Sequence, residues 1–119
     1  MSGERILVIE DGDARALRLP VVLIRPAAAV VNCRRGGASA AFDRMNKYFT
    51  INHMPVVTSQ YWNSTHGRNP EEVLQDREGM QTMRLLGKNM AWLLKNIQAG
   101  NIAVPEPEKW QMTDFCRKK

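Results

Sequence analysis

The chain contains no apolar run approaching the roughly 18 to 20 residues that cross a bilayer, which excludes a membrane-spanning helix. Its two cysteines, Cys33 and Cys116, stand far apart and fit neither a disulfide framework nor a metal-ligand spacing. Histidine is as scarce: His53 and His66 have no carboxylate at a spacing that would complete a zinc ligand set. None of Ser39, Ser59 and Ser64 lies in a G-x-S-x-G elbow, and Cys33 has no histidine base beside it in sequence, so nucleophilic catalysis finds no support. The opening Met-Ser-Gly-Glu-Arg lacks the cleavage pattern of a signal peptide, and a cytoplasmic location is expected. The net charge of +5 clusters at Arg34, Arg35, Arg44 and Lys47 and at Arg117-Lys118-Lys119. A nucleic-acid partner would call for a wider basic face with aromatic or polar readers, so the clustering points instead to a local anion site.

What is present suits one small α/β domain. A length of 119 residues with 44% hydrophobic composition allows one core. Residues 5–10 (RILVIE) and 21–24 (VVLI) read as strand-like runs, and Pro26 separates the second from a strand over Ala27 to Asn32. Near-continuous apolar strands of this kind belong to parallel sheets covered on both faces. After Gly37 the period changes to that of a helix. Ala41, Phe42, Met45, Tyr48 and Phe49 form one stripe, Ser39 is the expected N-cap, and the helix ends near Asn52, ahead of Pro55. A second strand is predicted over Pro55 to Ser59, then a loop from Tyr61 to Gly67. Asn69-Pro70-Glu71-Glu72 is a helix start, with a capping asparagine, proline at the first helical position and acids at the positive end of the dipole. Met80, Met83, Leu86, Gly87, Met90, Leu93, Leu94 and Ile97 line the helix that follows. Gly79 is the expected break in it, and Gly100 the stop. An extended basic tail occupies 101–119. The β-α-β-α order predicts a doubly wound parallel sheet with right-handed connections and helices on both faces.

Two loops carry the candidate chemistry, as expected where parallel strands end. In Arg34-Arg35-Gly36-Gly37 the glycines let the backbone approach a ligand, the helix behind them offers free amides, and the arginines supply planar charged donors. A plain tight turn explains the glycines equally well. In the second loop Tyr61 and Trp62, followed by Asn63, Ser64, Thr65 and His66, could line a flat ring, or Trp62 could pack into the core; for His66 an exposed loop histidine is the preferred reading. Cys33, beside two arginines, is where a thiolate would be stabilised, but the preferred reading is a small buried residue.

The block from Pro26 to about Gly100, with PAAAVV, RRGGASAAFD, NKYFTI, MPVVTSQYWN, HG, PEEV, EGMQTMR and LGKNMAWLLK, resembles the C-terminal half of flavodoxin-like proteins. It is most similar to the NAD(P)H-dependent FMN reductase group. The resemblance implies a parallel sheet flanked by helices, truncated here to three or four strands, in a homodimer. It also implies FMN as cofactor, NAD(P)H as electron donor, and an acceptor that the sequence does not identify. Carried over, it places Arg34, Arg35, Gly36 and Gly37 along the isoalloxazine ring, and Tyr61, Trp62 and Asn63 near the entrance or the dimer interface. Residues 1–25 stand where the family has its N-terminal half, and Asp11-Gly12-Asp13 stands in place of a Ser/Thr-rich phosphate loop. The chain therefore resembles an incomplete member. Two readings follow: an FMN-dependent oxidoreductase, or a non-catalytic remnant or interaction module that cannot hold FMN alone. Residues 6–12 (ILVIEDG) also resemble the opening of receiver domains, but no later strand ends in an aspartate suited to accept phosphate.

Overall fold

The computed structural model describes residues 25–100, 102–113 and 115. The expected strands at 5–10 and 21–24, the leader before Arg25, Cys116 and the basic triplet 117–119 lie outside the described residues. Within them the order is β1 (Val31–Cys33), α1 (Ala38–Ile51), β2 (Ser64–His66), α2 (Pro70–Gln75) and α3 (Arg77–Ala99). β1 and β2 pair in parallel, Val31 opposite Ser64 and Cys33 opposite His66. The fold is mixed α/β, a small parallel sheet flanked by helices.

The helices cover opposite faces of the sheet. Ala27 and Ala29 pack with Phe49, joined by Phe42, Met45, Met54 and Val56, so α1 lies on one face. Ala28 packs with Val57 and Leu86, joined by Val30, Met90 and Leu93, so α3 lies on the other. This is the alternation that strand geometry imposes, and it explains why the PAAAVV run is apolar at every position. The small alanine side chains let both helices come close. Of the expected α1 stripe, Phe42, Met45 and Phe49 face the core, whereas Tyr48 is exposed. One residue before Phe49, it is turned by about 100° around the helix.

The strand limits differ from the sequence reading. The first run pairs at Ala27 and again over Val31–Cys33, while the expected strand at 55–59 makes only an isolated parallel bridge, Ala27 to Val56. The second paired stretch, Ser64–His66, lies inside the expected loop. The offset between partners grows from 29 (Ala27 to Val56) to 33 (Val31 to Ser64), so four surplus residues loop out of the second strand before pairing resumes. Apolar composition marks residues for burial. Pairing requires only backbone groups, and these a polar Ser-Thr-His stretch supplies as well.

Helix boundaries also shift. Gly37, not Ser39, is the N-cap of α1; it adopts a left-handed conformation (φ 91°), and no side chain caps the helix. Gly79 does not break the long helix. The break falls at Asp76, and Gly79 lies in the first turn of α3, where a Cβ would stand 3.0 Å from Thr65 Cα. The Asp76 carboxylate that caps the helix, with its Cγ 2.8 Å from such a Cβ, and the close approach to β2 together require glycine there. Asn69 caps α2 as expected, accepting from Glu72 N–H at 2.9 Å, with Pro70 at the first helical position. Of the expected apolar face of α3, Leu86 is buried but Gly87 and Ile97 are exposed.

Candidate functional site

The start of α1, beyond the loop after β1, shares a pocket with the surplus loop that precedes β2. Arg34, Arg35, Gly36 and Gly37 are all exposed, and a Cβ built on Gly36 meets nothing within 4 Å. Behind them α1 begins with an open end. Its first internal bond runs from Ala41 N–H to the Gly37 carbonyl at 3.1 Å. The amides of Ala38, Ser39 and Ala40 have no partner among the described residues, and no acidic residue stands in the first turn. Unpaired amides and the helix dipole make this end attractive to anions or to ligand oxygen and nitrogen acceptors.

A pocket of about 170 Å³ opens beside this end, lined by Ala38, Ser39, Phe42, Tyr61, Trp62, Ser64 and His66. Trp62 does not pack into the core: it is 56% exposed, and its ring lies 5.2 Å from that of Tyr61 at a 41° tilt. The buried member of the loop is Asn63, 1% exposed. Its carbonyl accepts from Val31 N–H at 3.0 Å, and its Oδ1 lies 2.8 Å from Ser59 Oγ. Ser59 Oγ also lies 2.6 Å from the Tyr61 carbonyl, so its one proton has two acceptors. Asn63 is thus occupied in closing the surplus loop, and what it contributes to the pocket is the outward placement of Tyr61 and Trp62.

Polar contacts also tie the strand ends to each other and to α3. Thr65 Oγ1 donates to Asn32 Oδ1 at 3.0 Å, and Asn32 Nδ2 donates to the Gly67 carbonyl at 3.1 Å. Asp76 joins β2 to α3, accepting from Gly79 N–H at 2.9 Å through Oδ1 and from His66 N–H at 2.7 Å through Oδ2. The Gly79 hydrogen bond is the main reason its carboxyl sits below the ordinary value of 3.8; burial opposes it, and the His66 contacts add to it. His66 Nδ1 lies 3.5 Å from the same carboxylate, with its side chain 58% exposed, in keeping with the exposed histidine expected there. Cys33 is buried.

The structure therefore brings the start of α1 together with Tyr61 and Trp62 and directs Asn63 inward, while Arg34, Arg35, Gly36 and Gly37 lie exposed just before that start and do not line the pocket. Sequence reading placed Ser64 and His66 in the ring-lining loop but did not single out Phe42 as a pocket residue. Phe42 lies on the core stripe. No group of three or more histidine, cysteine or acidic residues that could hold a metal is found among the described residues. Nor is any helix among them long and apolar enough to cross a membrane. Fold and site together define a mixed α/β protein with a small pocket beside a parallel strand pair. The chain matches no family model, no curated protein and no solved structure.

Proposed function

We propose that this chain is an FMN-binding module of the flavodoxin-like oxidoreductase type, with the flavin ring against the Arg34–Gly37 loop and the start of α1. The observation that carries the reading is the open end of α1. Three unpaired amides behind an unobstructed glycine stand at the carboxyl end of a parallel strand pair, beside a tyrosine–tryptophan pair. These are the donors and flat surfaces that a flavin's ring edge requires, and amides aimed at such a ring tune its electronics as well as its binding. Arg34 and Arg35 add charged planar donors. FMN held there would supply electron transfer between NAD(P)H and an acceptor; the chain's own residues would bind and orient the ring. The pocket is smaller than the roughly 300–1,000 Å³ typical of sites that enclose an organic ligand. At about 170 Å³ it takes only part of such a ring, and the loop must hold the rest.

The test is a titration of the purified chain with FMN, followed by quenching of flavin fluorescence. Saturable quenching is expected, with a loss of tenfold or more in affinity for Gly36→Val, which fills the approach. Gly37 is the wrong position for this test, because a β-branched residue at φ 91° strains the backbone whether or not a ligand binds. Unchanged binding by Gly36→Val would overturn the site, and absence of quenching at high FMN would overturn the reading. A second reading, an interaction module without flavin, draws on the exposed Ile102, Trp110, Met112 and Phe115.

A further inference from the structure

The charges of α3 are sorted by sign around its axis. Its cations are Arg77, Arg84, Lys88 and Lys95, and its one acid is Glu78. At about 100° per residue the four cations fall within about 40° of one another, directly opposite Leu86. Leu86 is the residue that α3 buries against the sheet. All four cations are exposed, and none has an ion-pair partner among the described residues. Glu78 is turned about 100° from Arg77, off this stripe. Gln81 and Trp92 flank it on the Lys88 side; both are exposed, Trp92 at 66%. From Arg77 to Lys95 the row is about 27 Å long.

The stripe does not serve the helix that carries it. Arg84 and Lys88, four residues apart, repel each other, and Arg77 stands at the positive end of the dipole. The acid–base pairs that stabilise a solvated helix face are absent here. An external polyanion would relieve both repulsions. A nucleic-acid partner calls for a basic face with aromatic or polar readers, and such a face is assembled only when the helix brings residues 77–95 into one row.

The neighbours of the row select the kind of polyanion. A lipid surface takes up the apolar face of a basic helix, but in α3 that face is packed on the sheet through Leu86, Met90 and Leu93. An acidic protein would bring an apolar centre to the contact, and lysine is depleted in such interfaces. A single-stranded nucleic acid uses what is present: cations along its backbone, and an exposed aromatic face on which an unpaired base stacks. Trp92, between Lys88 and Lys95 along the helix, supplies that face. A duplex keeps its bases stacked on one another and offers Trp92 none. We infer that the exposed face of α3 binds single-stranded nucleic acid, with Arg77, Arg84, Lys88 and Lys95 on phosphates and Trp92 under a base. This face lies across the sheet from α1. The inference does not depend on the flavin reading, and its test is run without FMN.

The test is a fluorescence-anisotropy titration of a labelled oligothymidylate of about 15 nucleotides with the full chain, repeated at several salt concentrations. Four phosphate contacts give a slope of log affinity against log salt of about −2.8, an affinity loss of about fiftyfold between 50 and 200 mM salt. Arg84→Gln with Lys88→Gln is expected to weaken binding about tenfold or more and to make the slope shallower by about 1.4. Trp92→Ala is expected to weaken binding about tenfold with the slope unchanged, which separates stacking from charge. Arg44→Gln with Lys47→Gln removes the same charge from α1 and is expected to leave the slope unchanged. All five positions are exposed, and circular dichroism verifies folding. A duplex of the same length, vesicles containing phosphatidylserine, and polyglutamate are each expected to bind more weakly than the single strand. Absence of binding, an unchanged slope in the Arg84–Lys88 variant or an unchanged affinity in Trp92→Ala would each overturn the inference. So would equal or tighter binding of the duplex, the vesicles or polyglutamate.

Discussion

At the scale of single residues, Asp76 joins more of the site than any other side chain. One oxygen caps α3 through Gly79, and the other receives the amide of His66, so a single carboxylate ties the end of β2 to the start of the helix behind it. Its pKa is held below 3.8, chiefly by the Gly79 amide. A carboxyl whose pKa is lower folded than unfolded stabilises the fold fully above its unfolded value, and the gain is lost as pH falls toward the folded value. Asp76→Asn should keep a capping oxygen but lose the charge and the acceptor for His66 N–H. The expected cost is about 1–2 kcal/mol at neutral pH. The fall in melting temperature between about pH 5 and pH 3 should also become shallower than in the parent chain. Parallel pH profiles for parent and variant would show that another carboxyl controls acid stability.

At the scale of elements, the ends of α1 differ in kind. Its start is open, whereas its end is closed by a Schellman arrangement. Met54 N–H donates to the Phe49 carbonyl at 3.0 Å, and His53 N–H to that of Thr50 at 3.2 Å, with His53 at φ 57°. A left-handed residue with a Cβ costs about 1 kcal/mol or more, so His53→Gly should stabilise the chain by about 1 kcal/mol and raise Tm by about 4–8 °C. A neutral or negative shift in calorimetry would show that the His53 side chain compensates for its backbone. The helix start at Asn69-Pro70 was legible from its capping side chain and proline; the start at Gly37 was not, because a backbone conformation sets it, nor was the side-chain cap at Asp76, which lies inside a stretch that reads as continuous helix. Gly79 misled for a related reason: its placement answers to the Asp76 carboxylate and to Thr65, a neighbour in space, and helical tolerance of glycine costs only about 1 kcal/mol. The arginine–glycine loop and Trp62 could be read from composition. The inward turn of Asn63 could not, because it follows from where the ladder resumes.

At the scale of the whole molecule, the core among the described residues is thin. Its buried apolar members there are mostly alanine and valine, divided between two faces of a narrow sheet, while Tyr48, Ile51, Trp92 and Trp110 lie exposed. Leu86 is the large residue that anchors the α3 face, against Ala28 and Val57. Leu86→Ala should cost about 2–5 kcal/mol, a large part of the roughly 5–15 kcal/mol that holds a domain together. Urea unfolding should show the midpoint falling with the slope unchanged; a changed slope would mean that the folded state itself had loosened. The four surplus residues ahead of Ser64 separate two properties that a continuous strand would couple. Because the ladder closes again behind them, fixed by Asn63 on Val31, their length and identity can drift without shifting a single strand pair. Doubling such a loop costs only about 0.6 kcal/mol in closure entropy. The rim of the pocket is therefore an exchangeable cassette on a constant frame, able to change shape and chemistry while the sheet stays as it is.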